Sequence, residues 1–260
     1  MWLVGLVLLG VAGFCGFLVV RARGRQRQMI TTDTFTAQEL RTLQAAAAEA
    51  AGPGVFRQTC EVAGTAQPSA SGALKSEISA TECVWHKHVV TRKYWETERK
   101  RDSNGNYRNR RVEKKEKVAD RESEQPFLVT DETGSVLVHP SRGVEGVEQI
   151  VDRFEPHDEK EERTELSIGS FSLSLPKTQR EGTIGYQYEE WVLEPGRKVY
   201  VLGEAGDASG ELAIEAPTLI STKDEETLLR ESRSKQRLFL LGATVAAVAG
   251  IALIVIGVLR

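Results

Sequence analysis

Cysteine is scarce in this chain, with three residues in 260. Cys15 falls in an apolar run, which leaves Cys60 and Cys83. Two thiols do not make the disulfide framework of a small secreted domain, although one bridge stays open in an oxidising compartment. Histidine is equally sparse, at four residues. No P-loop, no G-x-G-x-x-G after a strand and no G-x-S-x-G elbow occurs, so no motif points to nucleotide binding or to an α/β-hydrolase. A hydrolase built from scattered polar residues stays open, with nothing nominating its members. The formal net charge of −3 gives no reason to expect a nucleic-acid partner.

Charge is missing altogether from two stretches, 2–20 and 238–259. Each approaches the ~20 apolar residues that cross ~30 Å of hydrocarbon, and their glycines are common in membrane helices. The mean hydropathy of −0.30 hides them. A cleaved signal peptide is the other reading of the first run. It needs a basic n-region and a shorter apolar stretch, so an uncleaved anchor is expected. Arg21, Arg23, Arg25 and Arg27 follow the first run, while Arg230, Arg233, Lys235 and Arg237 precede the second. Basic flanks tend to stay cytoplasmic. The expected topology is a two-pass protein of the prokaryotic plasma membrane, its central domain cytoplasmic and both termini outside.

Between the runs the pattern changes twice. Residues 21–54 read as a basic collar and a short amphipathic helix: Thr36 and Glu39 fit a capping box, the alanine-rich stretch is helix-forming, and Gly52-Pro53-Gly54 stops it. From 55 to 221, short runs of period two are broken by Gly, Pro and Asx turns. Strands are expected at 56–63, 83–95, 126–129, 135–139, 147–154, 171–175, 186–193, 198–202 and 212–220. The interval 92–117 is rich in Lys and Arg, with Asn104-Gly105 near its middle. It reads as a projecting hairpin or a partly disordered loop, and anionic lipid contact is one use for it. Thr222 to Glu225 fits a second capping box, opening a juxtamembrane helix over 222–237. The fold class expected is therefore mainly β, a small barrel- or sandwich-like soluble domain flanked by two transmembrane α-helices.

Few residues suggest chemistry. Cys83-x-x-His86-x-His88 offers zinc-type ligands, but strand alternation separates Cys83 and Trp85 from the histidines. The reading is Cys83 and Trp85 in a core with both histidines outside, and no metal. Asp131-Glu132-Thr133-Gly134 only loosely matches an aspartic-protease motif and reads as a tight turn. Glu194-Pro195-Gly196 is a turn as well.

Two segments carry a resemblance. Residues 76–90, containing Cys83 and Trp85, continue after the charged insert into 126–138, with Pro126, Phe127, Asp131 and Gly134. Residues 188–205 carry Glu190, Pro195, Gly196 and Gly203. In this order, beside apolar spans, they resemble the GIDE (beside-a-membrane, BAM) domain of MULAN-type membrane E3 ubiquitin ligases. The resemblance implies a membrane-proximal domain for recognition or regulation, with those ten motif residues in structural roles. A RING needs two four-ligand zinc sites, more Cys and His than this sequence holds, so the RING-less, prokaryotic-like form is expected. No cofactor, catalytic residue or metal ligand is assigned. The expected partners are the bilayer and a protein close to it. Function is expected to be that of a non-enzymatic scaffold, or of a component of ubiquitin-like ligation acting through a separate RING-bearing or E2-like partner.

Overall fold

A computed structural model describes residues 2–101, 106–157, 165–174 and 182–259. The chain divides into two units: 1–34 with 223–260, and Phe35–Thr222. The first unit is helical. Helix α1 (Trp2–Thr31) and helix α3 (Glu225–Leu259) pack along each other. Helix α3 starts later than the Thr222 capping box predicts. Asp224 is its cap, its carboxylate accepting from the Thr227 amide at 3.0 Å, because the Thr222 hydroxyl is already donating to the Gly146 carbonyl at 2.6 Å.

The expectation of a transmembrane helix at each end is corrected. Among the described residues, one helical segment is long and apolar enough to cross a membrane: Arg237–Val255, with a mean hydropathy of 2.6. At 1.5 Å per residue it reaches about 28 Å. The described apolar segment near the other end is Gly10–Val20, about 16 Å long by the same rise. That is half a bilayer core, so no two-helix membrane flank stands. The chain is membrane-associated through one candidate span.

The second unit is mainly β. Helix α2 (Ala37–Ala51) opens it, with both halves of the Thr36–Glu39 capping box formed and Gly52 as the C-cap. Then come β1 (Arg57–Pro68), β2 (Leu74–Lys75), β3 (Glu82–Cys83), β4 (Trp85–Arg101) and β5 (Tyr107–Glu122). After these follow β6 (Phe127–Thr130), β7 (Ser135–Val138), β8 (Glu148–Pro156), β9 (Glu165–Ile168) and β10 (Phe171–Ser174). The last strands are β11 (Thr183–Leu193), β12 (Lys198–Gly206), β13 (Ala213–Ile214) and β14 (Leu219–Ser221). Strands β1, β6, β7, β13 and β12 close on themselves because β1 pairs with both β6 and β12, giving a five-stranded barrel with β14 added at β12. All of its pairings are antiparallel except β7 with β13.

Period-two side chains fill the barrel: Cys60, Val62 and Ala66 from β1, Phe127 and Val129 from β6, Val136 and Val138 from β7, Val199, Val201 and Ala205 from β12. Strand β1 crosses from β12 to β6 at Gly64, where an added Cβ would stand 2.5 Å from the Thr130 carbonyl oxygen. Only glycine lets the backbones approach so closely at this barrel corner.

The remaining sheet runs β5-β4-β11-β8, all antiparallel. One face puts Trp85 and Leu193 into the barrel core. The other carries a second core of Ile78, Val90, Ala119, Leu166, Phe171, Tyr186 and Tyr188, to which the β9–β10 hairpin contributes Leu166 and Phe171. The charged interval is thus a hairpin rather than a loop, with β4 and β5 paired out to Arg101 and Tyr107. The Asn104-Gly105 turn lies outside the described residues.

Candidate functional site

Sequence alternation places His86 and His88 on the face of β4 opposite Trp85, and that part of the reading holds. Their exposure does not. His86 is 7% and His88 0% exposed, because the 76–81 loop and the β9–β10 hairpin cover that face; the His88 ring meets Phe171 edge-on at 4.9 Å. A period-two pattern says which side a residue takes, not whether a remote loop lies over it.

Beside His88 across the strand pair sits Glu190, also fully buried. Its Oε1 accepts from the Ile78 amide at 2.7 Å. Its Oε2 accepts from the Ser79 amide at 3.0 Å, the Ser79 hydroxyl at 2.7 Å and the Ser76 hydroxyl at 3.1 Å. A buried carboxylate is tolerable only with such partners, and these ones fold the 76–81 loop onto the sheet. Ala80 takes a φ of 57° within that loop. Ser76, Ser79 and Glu77 carry no spacing signal in the sequence, so this cluster is invisible until the loop is folded.

Neither histidine has the geometry of a working acid–base group. The His88 Nδ1 stands 3.7 Å from a Glu77 carboxylate oxygen, too far for a hydrogen bond, and both His88 ring nitrogens lack hydrogen-bond partners. Burial pushes both imidazoles below their ordinary range, Glu77 offsetting this in part. They are neutral at pH 7. Burial likewise raises the Cys60 thiol to about 11 and the Cys83 thiol to about 12; both are free and protonated, which keeps them unreactive. Among the described residues no group of three or more His, Cys, Asp or Glu side chains is placed to hold a metal ion.

The first motif segment serves a different junction. Asp131 closes the β6–β7 turn, its Oδ1 accepting from the amides of Thr133 (2.7 Å) and Gly134 (2.9 Å). Its Oδ2 accepts from the Ala37 amide at 2.8 Å, one of the free donors at the start of α2. Burial pushes the Asp131 carboxyl up, but the Thr133 hydroxyl and the three amides outweigh it and hold the group below its usual range. Thr133 Oγ accepts from the Gln38 amide and Arg41 donates to the Ser135 carbonyl. Ala37 and Leu40 are thereby buried against the barrel.

The other motif residues lie around the same core. Phe127 and Trp85 are inside it and Pro126 precedes β6, half-buried. Pro195 and Gly196 form the β11–β12 turn, with the Arg197 amide donating to the Glu194 carbonyl and Gly196 at φ +82°, the type II arrangement of Pro followed by Gly. Gly203 has the Ile214 side chain 2.7 Å from where a Cβ would stand. Cys83 pairs opposite Leu74.

Among the described residues, the outer part of the β4–β5 ribbon is exposed along its length. The Trp95 amide donates to the Gly182 carbonyl at 2.8 Å; beyond it, among the described residues, β4 pairs with β5 alone. Arg99 stacks 4.4 Å from the centroid of Tyr107 and Arg111 5.1 Å from that of Trp95.

The family model GIDE, described as E3 ubiquitin ligase, matches residues 95–256. No curated protein and no solved structure matches. The match covers most of the chain, from the start of the projecting ribbon through the second motif segment and into the candidate span. This chain belongs to the GIDE family of E3 ubiquitin ligases.

Proposed function

We propose that this chain serves ubiquitin-ligase-related function as a membrane-anchored recognition or scaffold module, leaving ubiquitin transfer to a separate RING-bearing or E2-like partner. The observation that carries the reading is the closure of the β4 histidines, Glu190 and the two thiols of the domain. His86, His88, Glu190, Cys60 and Cys83 are all buried, where no substrate meets them. Among the described residues, the long β4–β5 ribbon faces solvent, a feature that binds rather than reacts. The 260 residues also hold three Cys and four His, short of the two four-ligand zinc sites of a RING. Arg230, Arg233, Lys235 and Arg237 ahead of the span support a cytoplasmic position for the domain.

A transfer assay tests the division of labour. Purified full-length protein with E1, E2 and ubiquitin should form no conjugates, while proximity labelling in the native membrane should mark a ligation component beside it. Conjugates formed by this chain and E2 alone would sink the proposal.

A further inference from the structure

The two faces of the β4–β5 ribbon are not alike. Residues directly opposite one another share a face. One face pairs several of its charges internally: Lys114 reaches Glu98 at 2.5 Å and Glu96 at 3.6 Å, and Arg92 reaches Glu116 at 3.2 Å; it also carries Lys100, Arg108 and Arg110. The opposite face carries Trp95, Arg99 and Arg101 from β4, with Tyr107, Arg111 and Lys115 from β5. Glu113 is the one described acidic side chain on that stretch. All six are exposed, Trp95 at 41% and Tyr107 at 59%. A ribbon that merely needed solubility has no reason to place its exposed aromatics, Trp95 and Tyr107, on one side, each under a guanidinium.

We infer that this face of the ribbon docks on an anionic lipid surface, Trp95 and Tyr107 lying at the headgroup level and Arg99, Arg101, Arg111 and Lys115 meeting lipid phosphates and carboxylates. Trp and Tyr are the side chains that favour the membrane interface, and clustered basic residues are held by the negative potential of anionic lipid. Guanidiniums already stacked on the rings are ordered before they arrive, which lowers the entropic cost of docking. The choice of lipid over an acidic protein follows from the chain itself. Arg237–Val255 is the candidate span, and about 15 residues, mostly helical, connect it to the domain. Such a tether keeps bilayer headgroups within constant reach, at an effective concentration no diffusing partner matches.

The test uses the full chain in nanodiscs of phosphatidylcholine, with or without about 30 mol% phosphatidylserine. Amide hydrogen exchange over 97–101 and 107–111 should slow at least about threefold in the anionic discs, and revert when added salt shortens the screening length to about 3 Å. Trp95 fluorescence should be quenched by brominated lipid in the same discs. Reversing Arg99→Glu, Arg101→Glu and Arg111→Glu together should abolish the difference. The matched set Lys100→Glu, Arg108→Glu and Arg110→Glu, on the other face, should leave most of it, with unchanged circular dichroism in both. Equal exchange in the two discs, or equal loss from either face, overturns the inference. Protection by an acidic polyglutamate peptide but not by anionic lipid overturns it too, and assigns the face to a protein. None of these results depends on whether the chain takes part in ubiquitin transfer.

Discussion

At Glu190 a single carboxylate joins the 76–81 loop to the sheet. Four donors from Ser76, Ile78 and Ser79 converge on its two oxygens, and the loop tolerates Ala80 in a left-handed conformation that costs about 1–2 kcal/mol. Glu190→Ala leaves the buried Ile78 amide and the part-buried Ser79 amide without this acceptor, each worth about 1–3 kcal/mol when stranded, while the Ser76 and Ser79 hydroxyls can still bond each other. We expect a loss of about 3 kcal/mol or more in chemical denaturation of the detergent-solubilised protein, with Glu190→Gln recovering part of it. The signal for this role was half legible. Glu190 stands out in the sequence as a charged residue inside an apolar strand, at 183–193. Its partners lie more than a hundred residues away, and no local pattern connects them.

Among elements, α2 shows how much local sequence decides and where it stops. Thr36 and Glu39 specify the N-terminus through contacts three residues apart, so the capping box was readable and formed. The tie to the barrel, Asp131 to the Ala37 amide, spans 94 residues and was not. Asp131→Ala removes three amide bonds at once and should cost about 2 kcal/mol, a helix cap and a turn together. Hydrogen exchange should then quicken along Ala37–Ala51 and not in β11, whereas uniform quickening would mean that the turn supports the whole barrel. Strands β6 and β7 are visible because half-buried strands alternate. Strand β2 is two residues long, too short for a period to show, and the run expected at 212–220 is divided between β13 and β14. Thr222 illustrates a further limit, since a capping residue that already has a tertiary partner yields its place to Asp224.

For the molecule as a whole, pH is the simplest global probe. His86 and His88 have folded pKa values below the unfolded value of about 6.5. The unfolded chain therefore binds protons that the folded one refuses, and stability rises with pH through that range. The histidine contribution is complete above about pH 6.5 and is lost as pH falls below it. Asp131 acts in the same direction, but only nearer pH 4 and below. We expect the denaturation midpoint to fall between about pH 7 and 5.5, and His88→Phe to flatten that slope. A midpoint independent of pH over this interval would contradict the burial of both rings. The sequence suggested membrane flanks on both sides because charge-free runs stand at both ends. The described structure supports one span, since length along a continuous apolar helix decides crossing.

The double pairing of β1 sets an order of events. Arg57 lies opposite Gly206 and Thr65 opposite Thr130, so the first barrel strand waits for nearly the last. Closing so long a loop is paid in chain entropy before any contact repays it. During synthesis β1 therefore has no β12 to join until almost the whole domain has emerged, and its edge stays open meanwhile. The strand that seals the barrel is thus among the last of the domain to be made, a short distance ahead of the candidate span.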